Sequence, residues 1–191
     1  MLQHLIPSKV RRKILELFFQ NLDTSFYLRE VVRRVDEEVN AVKRELDILY
    51  EGKVLTRERR MNKVFYSLNK SYIFFDEFLR IFTKSSDLAN LILKNQSKLG
   101  KLKYVAISTK YSKKVQIKED EIYVLFVGIV VVPEVDTIMN HARRSFGWDI
   151  NYTVMTDDEL KFRKKNNDPF IWKFLKHPKV MLVGNEEDLL K

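Results

Sequence analysis

Val39-Asn-Ala-Val-Lys-Arg-Glu-Leu-Asp-Ile-Leu-Tyr-Glu-Gly-Lys-Val-Leu55 is the stretch on which the reading of this chain turns. Val39, Val42, Leu46 and Leu49 recur at helical spacing and predict one stripe facing a core, with Asp36 as the start of the helix. Asn40, Ala41, Lys43, Arg44 and Asp47 then face outward. Gly52 predicts an end to the helix in a left-handed cap. Upstream, Val10, Ile14, Leu17 and Phe18 predict a helix from Pro7 or Ser8 to Gln20, with Arg11, Arg12 and Lys13 mostly off its apolar face. A second helix carries Leu28, Val31, Val32 and Val35. Downstream, Lys53–Arg59 and Lys63–Leu68 read as two strands joined near Met61-Asn62. Val54, Leu55, Val64, Phe65 and Leu68 anchor them, and Arg57, Arg59, Arg60 and Lys63 gather at the tip.

The order helix, helix, helix, Gly, basic hairpin predicts a winged helix-turn-helix over residues 1–70. In that motif the second helix of the pair enters the major groove and its early residues meet base edges. Asn pairs bidentately with adenine, and Arg or Lys with guanine. The candidate DNA-contacting residues are therefore Arg29, Asn40, Ala41, Lys43, Arg44, Arg57, Arg59, Arg60 and Lys63. The stretch 39–55 resembles winged helices of the ArsR-like type, in which a similar Arg-Glu-Leu run spans the recognition helix and its exit. The resemblance covers about a third of the chain. It implies a transcriptional regulator whose partner is double-stranded DNA. The general habit of such motifs, binding paired half-sites, points to a homodimer. The same winged helix used only for protein contacts is the plain alternative.

The totals agree with a folded, basic chain. It has 191 residues, 45% hydrophobic, and a net charge of +9. Residues 1–70 hold 15 Lys and Arg against 10 Asp and Glu (net +5), and the remainder 20 against 16 (net +4), so the excess is denser in the first part. A positive field favours nucleic acid or anionic surfaces. The absence of cysteine excludes disulfides and thiolate zinc sites and fits a cytoplasmic location. The longest apolar run, Ile122 to Val132, is about half the roughly 20 residues a membrane helix needs. No membrane partner is expected.

Residues 71–99 read as helical, with Ile73, Phe74, Phe78, Leu79 and Phe82 in one stripe and Leu88, Leu91, Ile92 and Leu99 in another. Segment 71–100 is expected to link two domains or form a dimer seam. Beyond it the pattern alternates. Strands are expected at Tyr104–Ser108, Ile122–Val127, Ile150–Met155 and Val180–Val183, and helices at Pro133–Ser145, Asp157–Lys164 and Pro169–Leu175. The expected fold class is α+β or α/β: a winged helix-turn-helix, a helical linker and a small α/β domain at 101–191.

Three segments of that last domain resemble the small nucleotidyltransferase domain of the MNT type. They are Ile122-Tyr-Val-Leu-Phe-Val-Gly128, Phe146-Gly-Trp-Asp-Ile-Asn-Tyr-Thr-Val-Met-Thr156, and His177-Pro-Lys-Val-Met-Leu-Val-Gly184 with the Asn185-Glu-Glu-Asp-Leu tail. Active members carry a Gly-Ser turn and two aspartates that hold metal. Here Thr109-Lys110-Tyr111-Ser112-Lys113-Lys114 stands at the turn, and Glu121 and Tyr123 at the aspartates. Two Mg²⁺ ions need converging carboxylates. Tyr123 supplies none, Asn151 is neutral, and Asp149 has the wrong strand parity. The resemblance thus implies a domain that has lost catalysis and serves dimerisation, a protein partner or a small ligand. No catalytic residue, metal or cofactor is expected, although Lys110, Lys113 and Lys114 offer phosphate-binding charge. A divergent nucleotidyltransferase modifying a protein or RNA, antitoxin-like, is the alternative. Asp157-Asp158-Glu159 after Thr156 reads as a capped helix start rather than a metal cluster. His4, His141 and His177 lack metal spacing, and Trp148 and Trp172 read as core or interface aromatics.

Overall fold

The computed structural model describes residues 2–147 and 149–191. The chain divides into two compact units, between Phe82 and Thr83.

In the first unit Ser8 starts helix α1 (Lys9–Phe19) by accepting the Arg11 N–H on its hydroxyl. Ile14, Leu15, Phe18 and Phe19 turn inward. After β1 (Phe26–Tyr27) come α2 (Leu28–Val35) and α3 (Val39–Glu51). Strands β2 (Leu55–Arg60) and β3 (Lys63–Leu68) form a two-residue hairpin, closing at Arg60 opposite Lys63. β3 also pairs with β1, giving an antiparallel sheet ordered β1-β3-β2. Helix α4 (Phe75–Lys84) lays Phe78 and Phe82 on Phe19, with ring centroids 5.9 and 4.9 Å away.

Several sequence expectations shift by a residue or two, each for a local reason. Asp36 does not start α3. It closes α2 in the left-handed region (φ 50°), and Glu38 caps α3 by accepting the Ala41 N–H. Gly52 is not left-handed (φ −72°); Lys53 takes that conformation (φ 62°). Glycine suits position 52 because a Cβ there would lie 3.2 Å from the Ile48 carbonyl. Val39 does not face the core: it is 42% exposed, while Val42, Leu46 and Leu49 are buried. Val64 is also exposed, since only Tyr66 and Leu68 of β3 reach the core before the hairpin leaves it. Ile73 and Phe74 precede α4 and are exposed, outside the stripe expected for them.

One inward residue of α3 is charged. Glu45 is 5% exposed. Its Oε1 accepts a 2.6 Å hydrogen bond from the Ser8 hydroxyl, and its Oε2 a 2.7 Å one from Arg11 Nε. A buried carboxylate is tolerated only when so satisfied.

The second unit begins with α5 (Asp87–Lys94), capped by Ser86. Then follow β4 (Gly100–Ser108), α6 (Thr109–Ser112), β5 (Val124–Val130), α7 (Val132–Phe146), β6 (Tyr152–Met155), α8 (Asp157–Lys165), α9 (Pro169–Lys176), β7 (Lys179–Val183) and α10 (Glu186–Leu190). The sheet order is β6-β5-β4-β7; β5 and β6 are parallel and the other pairs antiparallel. Val105, Ile107, Val124 and Phe126 pack on one side with Leu88 and Ile92 of α5 and Val135 and Met139 of α7. Ala106, Leu125 and Val127 pack on the other with Leu160, Ile171, Phe174 and Leu189. Burial on both faces is why this strand sequence is a continuous apolar run. The segment expected as a connection, 71–100, is divided: α4 contributes Leu79 and Phe82 to the first core, and α5 contributes Leu88 and Ile92 to the second. Ile150 is buried but lies ahead of β6. Thr156 caps α8, as its pattern predicts, and Asp157 pairs with Lys103 and Lys161 at 2.7 Å each.

Gly128 has φ 143°, and a Cβ there would lie 2.3 Å from the Lys101 carbonyl. Gly128→Ala is expected to cost the second unit at least ~2 kcal/mol through strain and backbone clash, read by chemical denaturation. Glu45→Ala is expected to cost the first unit about 2 kcal/mol, because Ser8 and Arg11 lose their acceptor. Burial opposes ionisation of Glu45, but hydrogen bonds from Ser8 and Arg11 outweigh it and hold its pKa below the ordinary value. Its contribution is therefore complete above the ordinary glutamate range and lost as pH falls through the lowered value. Acid titration of stability is expected to be shallower in Glu45→Gln.

Candidate nucleic-acid interface

Helix, helix, helix and hairpin, with α2 and α3 joined by a three-residue turn, make the first unit a winged helix-turn-helix. Position in that frame decides what each cation does. The core takes Val42, Glu45, Leu46 and Leu49 from α3. Asn40, Lys43 and Arg44 are left exposed, with Ala41 and Asp47 half-buried beside them. These residues lie three and four apart and form one face. The Ala41 N–H is already taken by the Glu38 carboxylate at 2.9 Å, so Ala41 offers its methyl group.

The turn before α3 holds Asp36, Glu37 and Glu38, which would repel phosphate. Two of these charges are occupied. Glu37 is bridged by Lys9 at 2.8 Å and Lys13 at 2.7 Å, and hydrogen bonds from those lysines hold its pKa down. Glu38 is likewise held down by backbone N–H groups of Asn40 and Ala41. Lys13 also donates to the Val35 carbonyl at 2.7 Å, closing the end of α2. Sequence reasoning passed over this Lys9–Lys13–Glu37 clamp. Its signal was the i, i+4 spacing of the two lysines on α1.

The four wing cations lie on two faces of the hairpin. Side chains alternate along a strand. Arg57 lies opposite Tyr66 and Arg59 opposite Val64, on one face. Arg60 and Lys63 form the pair next to the turn, with Glu58 opposite Phe65 on the other face. Arg57 covers the Tyr50 ring of α3 at 4.0 Å, which braces the wing on that helix. Arg60 is bound to Glu58 at 2.7 Å and lies over Phe65, while Lys63 lies over Tyr27 at 4.3 Å. Arg59 makes no side-chain hydrogen bond, ion pair or ring contact among the described residues, and neither does Arg29, Lys43 or Arg44, although the Arg44 charge helps to lower the Glu45 pKa. Met61, at φ 52°, is 97% exposed at the tip.

In the second unit the lysines expected to offer phosphate-binding charge, Lys110, Lys113 and Lys114, stand on α6 and just past its end. Lys110 Nζ pairs with Glu121 at 2.9 Å, and Glu121 also meets Lys173 at 3.5 Å. The hydrogen bond from Lys110 holds the Glu121 pKa below its ordinary value. Lys113 and Lys114 are exposed past the end of α6. Tyr123 is 1% exposed, packs edge-on against Tyr111 and donates its hydroxyl to the Val115 carbonyl at 2.9 Å. A cleft of about 640 Å³ is lined by Glu119, Glu121, Asn140, Arg143, Asn151 and Tyr152, among others. Trp172 donates its indole N–H to the Lys164 carbonyl at 3.2 Å; Trp148 lies outside the described residues. No helix among the described residues is long and apolar enough to cross a membrane.

The chain is similar to several solved structures over part of its length. Reduced HlyU from Vibrio cholerae N16961 is 20% identical, with a TM-score of 0.34 over 43% of this chain and 78% of that one. A possible transcriptional regulator from Methanosarcina mazei Go1 is 14% identical, with a TM-score of 0.34 over 49% and 80%. BpsR from Bordetella bronchiseptica, whose DNA binding is regulated by 6-hydroxynicotinic acid, is 15% identical, with a TM-score of 0.34 over 51% and 79%. Scores of this size add nothing to what helix order and strand register establish. No protein-family model and no curated protein matches the chain.

The left-handed Asp36 gives this site a stability test. Asp36→Gly is expected to raise the stability of the first unit by about 0.5–1 kcal/mol in thermal denaturation, because glycine enters that conformation without a Cβ penalty.

Proposed function

We propose that this protein is a DNA-binding transcriptional regulator acting in the cytoplasm as a homodimer. One observation carries the reading: the cations without a partner inside the first unit include those on the outer face of α3, Lys43 and Arg44, with Arg29 and Arg59 on the flanking α2 and wing. Lys9, Lys13, Arg11, Arg34, Arg60 and Lys70 are spent on carboxylates of the same unit. Asn40, Lys43 and Arg44 would meet base edges, and Arg29 and Arg59 phosphate or the minor groove.

The second unit is proposed to be nucleotidyltransferase-like without catalysis, and to serve dimerisation, a partner or a ligand. Two features support this. The Tyr123 hydroxyl is committed to the Val115 carbonyl within a core. The Glu121 carboxylate is committed to Lys110 and Lys173.

Duplex DNA titrated against salt tests the first reading. Arg44→Ala is expected to weaken specific binding at least about tenfold, the worth of one bidentate base contact. Arg29→Ala is expected to flatten the salt slope by about one, through the loss of one phosphate contact. Equal, weak binding to any polyanion would overturn the proposal. Incubation with labelled nucleoside triphosphate and Mg²⁺ tests the second. No transfer is expected, and transfer abolished by Glu121→Gln would show an enzyme instead.

A further inference from the structure

We infer that Val39 reads the C5-methyl group of a thymine in the major groove. This rests on the DNA-binding reading above and assigns a specificity-determining role to a residue that the apolar pattern had placed in the core.

The first residue of α3 is 42% exposed although it is apolar, β-branched and in register with Val42 and Leu46. It belongs to neither the buried residues nor the partly buried ones packed against them. The core stops one turn later, at Val42, so Val39 is left open at the edge of the outer face, one turn before Lys43. Exposed apolar residues scattered singly are ordinary, and Met61 and Ile73 of this unit are two of them. Val39 differs in its place. It stands at the end of the recognition helix whose side chains reach base edges.

Its surroundings add to this. Glu38 accepts the Ala41 N–H at the start of the helix, and Glu37 is bridged by Lys9 and Lys13, so both preceding carboxylates have partners within the unit. The next outward groups, Asn40 and Lys43, are polar and exposed. A valine side chain is stiff about its first torsion, so its two methyl groups hold their direction. Among the base edges of the major groove, the apolar group on offer is the thymine methyl. A cationic, hydrogen-bonding face with two fixed methyl groups at its leading end matches a site with thymine at the position facing that end.

The test starts from a random duplex pool enriched on the full chain to obtain its preferred sequence. Each thymine is then replaced in turn by deoxyuridine, which removes only the methyl group. One replacement is expected to weaken wild-type binding about fourfold, the worth of one methyl group withdrawn from water. The Val39→Ala variant is expected to melt like wild type, to bind the thymine site several-fold more weakly, and to lose nothing further on the deoxyuridine site. If no replacement weakens the wild type, or if Val39→Ala loses as much as wild type at the sensitive position, Val39 has no such role even though Arg44→Ala still shows specific binding. If no sequence is enriched and any polyanion competes equally, the DNA-binding reading fails and this assignment falls with it.

Discussion

The buried carboxylate of Glu45 fixes the rotation of α3, and the rest of the first unit is arranged around that rotation. Val42, Leu46 and Leu49 would hold the helix against a core over a range of angles, because apolar contact is not directional. Glu45 narrows the range. Its two oxygens are taken by the Ser8 hydroxyl and Arg11 Nε at the start of α1. A charge in that position without its partners would be strongly unfavourable, so packings that separate them are disfavoured. The outward direction of Asn40, Lys43 and Arg44 follows from this inward constraint.

The same logic sorts the cations of the first unit. Some are held for structural ends: Lys9 and Lys13 gather Glu37, and Arg57 presses the wing onto Tyr50. Others project without a counter-charge. Exposed ion pairs contribute little to stability, so the arrangement matters for where positive charge is left over. The places where it is left over include the outer face of α3, α2 and one face of the wing, with Lys53 and Arg80 elsewhere in the unit.

In the second unit the backbone decides what two residues of the sequence can do. Glu121 and Tyr123 lie two apart, a spacing that would set both side chains on one face of a regular strand. Before β5 the strand is irregular: the N–H groups of Tyr123 and Val124 both point to the Asn151 carbonyl, at 2.8 and 3.4 Å. Consecutive residues Tyr123 and Val124 therefore enter the same core, while Glu121 turns to Lys110 and Lys173. The two positions do not converge on one point.

Much of this protein was legible from residue order because the periods of 3.6 and 2 are local properties. Three helices, the hairpin with its turn at Met61-Asn62, the apolar strand β5 (expected at 122–127, found at Val124–Val130) and the Thr156 cap all follow from neighbours along the chain. Outward Lys43 and Arg44 were legible for the same reason. What escaped depends on partners far away in sequence. Val39 continues the apolar stripe, yet no core extends far enough to cover it. Glu45 falls in neither the apolar stripe nor the outward set, yet Ser8 and Arg11, more than thirty residues earlier, draw it inside. The four wing cations read as a cluster, yet ring faces and Glu58 claim three of them and leave Arg59. Pattern assigns a side chain to a face of its own element; only packing against other elements decides whether that face is covered, paired or open to a ligand.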